Sequence, residues 1–185
     1  MKVALILEGQ TEKAFLPYLR AFLRPRLPHA MPNIDPLPYD GRIPTGEKLR
    51  RVVSYLLNGR RAADQVIALT DVYTGTRPPE FRDALDAKAK MRQWVGAEPR
   101  FHPHAAQYDF EAWLLPYWPS IQRLAGHNRA CPAGDPEEVN HSDPPAHRIR
   151  EIFRENDLSI AVARCSELKA LVNTILGLCG GEVIP

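Results

Sequence analysis

Two short apolar runs, each stopped by an acid, constrain this chain most. Val3 to Leu7 runs into Glu8 and Gly9, and Val66 to Thr70 runs into Asp71. Both are apolar throughout rather than alternating, as expected of strands buried on two faces in a parallel sheet. The spacing predicts a strand over 2–7 and another over 65–70, adjacent and parallel. After the first, Thr11 is placed to cap a helix whose Phe15, Leu16, Leu19, Phe22 and Leu23 share one face. Pro25, Pro28, Pro32, Pro36 and Pro38 break regularity until a second helix begins near Thr45 and ends near Gly59, with Leu49, Val52, Val53, Leu56 and Leu57 inward. A third helix is predicted over 81–94, a strand over 100–107 and a helix-like stretch over 109–115. A last helix starts near Ser166, bearing Leu168, Leu171, Val172, Ile175 and Leu176, and is capped by Gly180.

This alternation predicts an α/β fold, a mostly parallel sheet with helices on both faces and a helical C-terminal part. At 185 residues and 44% hydrophobic content, one domain with a sizeable core is expected. Within it, 1–125 forms the α/β core, 126–147 a surface loop rich in Pro, Asp, His and Asn, and 148–185 the helical part. No apolar run approaches membrane-spanning length, and Val3 to Leu7 is too short for a signal segment, so a cytoplasmic protein away from membranes is expected. The three cysteines, Cys131, Cys165 and Cys179, are widely spaced without a CxxC pair and are read as reduced.

In open α/β sheets, ligands bind outside the carboxyl ends of the strands, and here those ends are acidic. Glu8 follows the first strand, Asp71 the second, and Asp109 with Glu111 the third. Two carboxylates about 4 Å apart repel by roughly 4 kcal/mol at an effective dielectric near 20, so such a cluster calls for a cation or a proton. Hard oxygen donors select Mg²⁺ or Mn²⁺, which suits phosphodiester hydrolysis. Acids at these positions also serve simply to cap the following helices. Glu12, one turn beyond Glu8, fits either a metal-ligand or general-base role or a helix-dipole role. Its neighbour Lys13 could meet phosphate, though a lone exposed lysine there is more often only solvated.

The chain's net charge of +2 conceals an asymmetry, since the first 61 residues hold eleven basic and five acidic residues, net +6, and the remainder is net −4. Arg42, Lys48, Arg50 and Arg51 are the candidate contacts to DNA or RNA within that segment, alongside Arg20, Arg24, Arg26, Arg60 and Arg61. Solvated helix faces explain the same cluster equally well. His102 and His104 share a strand face at i, i+2 spacing, but a zinc site would need His127, His141 or His147 to converge from the loop. Trp113, Tyr117 and Trp118 suit base stacking less well than core packing. No GxxxxGK[ST], GxGxxG or GxSxG motif occurs, so nucleotide-driven motion would have to come from a partner, and serine hydrolase chemistry has no support.

The segments Leu7-Glu8-Gly9-Gln10-Thr11-Glu12, Thr70-Asp71-Val72-Tyr73 with Gly75, and Tyr108-Asp109-Phe110-Glu111-Ala112-Trp113-Leu114 resemble a small bacterial family, domain of unknown function family 4276. Pro136 to Asn140 and Ala163 to Leu168 extend the resemblance into the C-terminal half. That family is similar to the Toprim domains of topoisomerases, primases and overcoming-lysogenization-defect nucleases, which bind Mg²⁺ through a strand-end Glu and a later Asp-x-Asp. The resemblance implies a Toprim-like fold, metal-binding roles for Glu8 and Asp71, and an anti-phage or mobile-element setting with a AAA-type ATPase encoded nearby. This sequence departs from the pattern at Tyr73, which stands where the second aspartate would be. Asp109, Glu111 or Glu12 is then left to complete the ligands. The alternatives are a non-catalytic docking subunit of the ATPase and a hydrolase or transferase acting on small phosphorylated molecules. A homodimer stays open.

Overall fold

Four strands form one sheet in the order β2-β1-β3-β4, with every neighbouring pair parallel. The computed structural model describes residues 1–39, 41–73, 79–126, 128–131 and 149–185. The surface loop expected at 126–147 falls almost wholly outside the described residues, as do Gly75, His127, His141 and His147. Strand β1 (Lys2–Leu7) and strand β3 (Gln65–Asp71) lie side by side, with Val3 opposite Gln65 and Ile6 opposite Ala68. Strand β4 (Phe101–Ala106) adds on the far side of β3, and β2 (Asn33–Pro38) on the far side of β1.

Side-chain alternation along β1 and β3 divides the interior in two. Val3, Leu5, Leu7, Ile67 and Leu69 face α1 (Gln10–Leu23) and the C-terminal helices, whereas Ala4, Ile6, Val66 and Ala68 pack on the opposite side with Leu49, Val53, Leu57 and Met91. Those four residues belong to α2 (Gly46–Asn58) and α3 (Ala84–Val95). Helices on both faces thus explain why neither central strand alternates polar with apolar. After β4, a 3₁₀ segment (Phe110–Tyr117) leads into α4 (Trp118–Ala125). The described chain resumes with α5 (Ile149–Glu155), α6 (Leu158–Arg164) and α7 (Ser166–Leu178). Trp113, Tyr117 and Trp118 are buried, with Phe110 and Trp113 ring centroids 5.0 Å apart, so these aromatics build the core rather than a stacking platform.

The proline-rich stretch read as irregular contains a strand, and the reason is positional. The Asn33 and Tyr39 amides donate to Met1 O and Leu7 O, at 3.0 and 2.8 Å. Alternation therefore turns positions 36 and 38 outward from the sheet, where a missing N–H forfeits no ladder bond. Proline on this edge also denies hydrogen bonds to another chain. Two smaller corrections concern ends. Helix α1 begins at Gln10 with Gly9 as N-cap rather than at Thr11, and residues 110–117 wind as a 3₁₀ segment containing Pro116 rather than as an α-helix.

Candidate functional site

The register of β1 on β3, continued two residues past Ile6 and Ala68, sets Glu8 opposite Thr70. The side chains take up that relation. The Thr70 hydroxyl donates to Glu8 Oε1, and the Asp71 amide donates to the same oxygen at 3.1 Å. One carboxylate oxygen of Glu8 is therefore fixed by β3. The Gly41 amide donates to the Glu8 carbonyl at 3.1 Å, tying the turn after β2 to the same point. Glu8 is only 7% exposed and Glu12 only 5%.

Glu12 occupies the third position of α1 and lies against the backbone amides of Gly9 and of Glu12 itself. This is half of a capping box, so Glu12 has a structural role whatever else it does. A Cβ on Gly9 would stand 3.5 Å from Glu12 Oε2, an ordinary contact.

Across the rim, Val72 donates to Ala106 O at 3.1 Å and Tyr73 to Tyr108 O at 2.8 Å. The chain leaving β3 thus runs beside the chain leaving β4, which carries Asp109 and Glu111 toward Asp71. Asp109 caps the 3₁₀ segment, its side chain accepting from the Ala112 amide at 3.0 Å, and Glu111 sits in the first turn. Tyr73 points to solvent, 70% exposed.

The acids lie near enough to act on one another electrostatically. Burial pushes the Asp71 carboxyl well above its ordinary range, and Glu8, Glu12, Glu111 and Asp109 each push it further. Glu111 is raised to about 7, first by burial and then by Asp109 and Glu12. Burial also raises Glu8 and Glu12; for Glu8 the bonds from Thr70 and Asp71 work in the opposite direction, as does the nearby Arg42. Arg42 itself is ion-paired with Glu80, just before α3. It is the candidate phosphate contact that the structure sets beside the acids.

The other basic candidates lie elsewhere. Arg50 and Arg51, on the exposed side of α2, both bond to Glu47; Arg50 makes a bidentate pair at 2.7 and 2.8 Å, and Arg51 a single bond at 3.2 Å. Lys48 is exposed on the same helix. His102 and His104 face α7 and are engaged by Gln65 and Thr174, at 2.9 and 3.0 Å. Burial holds the His104 imidazole down at about 3. Among the described residues, these histidines gather no third metal ligand.

The five acids supply the hard oxygen donors that Mg²⁺ or Mn²⁺ prefers, and Asp71, Glu111, Glu8 and Glu12 are raised first by burial and, for Asp71, Glu111 and Glu8, also by neighbouring acids. The donor set fits such an ion in chemistry. It is not a preassembled cage, since among the described residues no three acidic, histidine or cysteine side chains already stand in a ligating group. Glu8 and Asp71 are the natural first holders because both end adjacent strands.

A parallel α/β domain with a buried acidic rim is the class that fold and site define. Residues 7–176 match the family described as Domain of unknown function (DUF4276), and the chain belongs to that family. No curated protein and no solved structure matches it.

Proposed function

We propose that this chain is a Mg²⁺- or Mn²⁺-dependent, Toprim-like nuclease acting on DNA or RNA in the cytoplasm. In this reading it works with a AAA-type ATPase encoded nearby, in an anti-phage or mobile-element system. One observation carries the reading: five carboxylates from three chain segments converge at the carboxyl ends of parallel strands, and burial and mutual repulsion raise the protonation of Asp71, Glu111, Glu8 and Glu12. Buried acids that repel one another in a crevice are a signature of a functional site.

Glu8 and Asp71 would hold the ion, and Asp109 or Glu111 would complete its shell. When bound, the ion neutralises the cluster and polarises a phosphoryl group as a Lewis acid. Thr70 and the Asp71 amide orient Glu8 by fixing one of its oxygens. Glu111, titrating at about 7, is suited to moving a proton at neutral pH, and Glu12 is the second proton-transfer candidate. Arg42 would hold a phosphate beside Glu8, and Lys48, Arg50 and Arg51, farther off on α2, would add weaker outlying contacts.

Calorimetric titration with Mn²⁺ tests this directly. Glu8→Gln and Asp71→Asn should each weaken binding about 100-fold or more and abolish Mn²⁺-dependent oligonucleotide cleavage, because an amide keeps the shape but lacks the charge a hard cation requires. Parent-like Mn²⁺ binding by both variants would sink the proposal.

A second reading, a docking subunit for an ATPase, draws on a different face. A shallow apolar depression of about 380 Å³ lies beside edge strand β2, lined by Leu37, Tyr39, Arg51, Val52, Tyr55 and Leu56. Tyr55 is 72% exposed there. Such a surface suits a protein partner, and exposed Tyr73 in place of a second aspartate suits lost catalysis.

A further inference from the structure

A groove of about 300 Å³ runs along the outer side of α1, lined by Gln10, Lys13, Ala14, Pro17, Tyr18 and Arg150. Its upper end is the first turn of α1, the same turn that places Glu12 in the acidic cluster. We infer that this groove is the track for a single-stranded nucleic-acid backbone, with Lys13 and Arg150 holding the phosphates next to the one cleaved. The inference rests on the proposed nuclease reading and names the substrate class for that site: a strand longer than one nucleotide.

Three features point to a built surface. The first is that Arg150 comes from α5, 137 positions after Lys13, and is fixed beside α1 by packing. The Tyr18 hydroxyl donates to the Arg150 carbonyl at 2.8 Å. Phe153, one turn further along α5, packs on Phe15 and Tyr18 with ring centroids 5.2 and 5.5 Å away. Arg150 is thus presented at the groove by buried aromatic contacts.

The second feature is pairing. Lys13 and Arg150 are exposed, and among the described residues neither side chain is ion-paired. Arg42, Arg50 and Arg51, by contrast, must each give up a carboxylate before meeting phosphate. An unpaired cation displaces the strand's condensed counterions without first breaking an ion pair, which makes the exchange favourable.

The third is the wall. Pro17 has no N–H, so the Lys13 carbonyl lacks its usual helical donor on the side of α1 where both residues line the groove. With Gln10 and the half-buried Tyr18, this supplies neutral hydrogen-bonding and ring surface between the two cations, suited to sugar and base as well as phosphate. The acidic rim repels an approaching phosphate, so anchoring a strand on flanking cations is the way to bring one close.

The test is fluorescence anisotropy of labelled 20-nucleotide single-stranded DNA and RNA against the full chain in Mn²⁺, over a salt series. Lys13→Glu with Arg150→Glu should weaken binding at least tenfold and make the salt dependence shallower by about 1.4 in log–log slope, two contacts at about 0.7 each. Lys13→Gln with Arg150→Gln should weaken it less, in the same direction. Calorimetric Mn²⁺ affinity of these variants should equal the parent's, which separates this inference from the metal reading. The inference is overturned if both pairs bind oligonucleotide as the parent does, if Arg50→Glu with Arg51→Glu costs as much, or if the parent binds Mn²⁺ but neither strand. Retention of one strand type over the other assigns DNA or RNA.

Discussion

The basic face of α2 is a cluster of like charges within one helix, whereas the acids of the rim are scattered in the sequence from Glu8 to Glu111, and folding treats the two in opposite ways. On α2, Arg50 and Arg51 stand one turn from Glu47 and share its carboxylate in solvent. Glu47 is accordingly held below its ordinary range, first by its bond to Arg50. At the rim, Glu8, Glu12, Asp71, Asp109 and Glu111 are drawn together from three segments and partly buried, and the nearest cation, Arg42, is shared with Glu80. One cluster is neutralised by its own helix; the other keeps its charge conflict. A conflict that tertiary structure creates marks a site more reliably than a run of charges that local structure resolves.

That contrast can be broken most sharply through pH. Glu111 is raised from 4.5 to about 7, so below pH 7 a cation must displace its proton. Mn²⁺ affinity should fall about fivefold between pH 7 and 6 from this one proton, and Glu111→Gln should flatten that slope. A parent profile flat over this range, measured by calorimetry, would show that Glu111 takes no part in binding.

Metal-free stability comes next. A carboxyl whose folded value is raised contributes stability that is complete below its unfolded value of 4.5 and is lost as pH rises through about 7. The metal-free protein should therefore melt lower at pH 7.5 than at pH 5.5 as far as Glu111 governs it. Asp71→Asn, which is neutral there without having to take up a proton, should stabilise the metal-free protein at pH 7.5 by about 1 kcal/mol or more in urea unfolding. A destabilised variant would mean that the rim carries no charge conflict.

The smallest effect belongs to α2. Glu47→Ala removes both partners' carboxylate from an exposed face and should change stability by less than about 0.5 kcal/mol. A loss above about 1 kcal/mol would show that this surface depends on its ion pairs as the rim depends on its acids, and the contrast would fail.

Much of this was legible in the residues. The uninterrupted apolar runs before Glu8 and Asp71 announced central parallel strands, because a strand covered on both faces has no polar positions to alternate. The 3.6-residue spacing in α1, α2 and α7 fixed their buried faces for the same kind of reason. Strand β2 escaped notice because Pro36 and Pro38 read as breakers; only its place at the sheet edge, with those positions turned outward, makes them harmless. That Lys13 and Arg150 line one groove was not legible, because the two are 137 positions apart in sequence.

By itself, then, the sequence determined the strand and helix periods and the acids that end the strands, since these follow from local geometry and from which side chains avoid water. Tertiary structure alone decided which acids meet across the sheet. A carboxylate that meets an arginine one turn away follows from helix spacing, but whether it meets four other carboxylates depends on strand order and register, which no local pattern encodes.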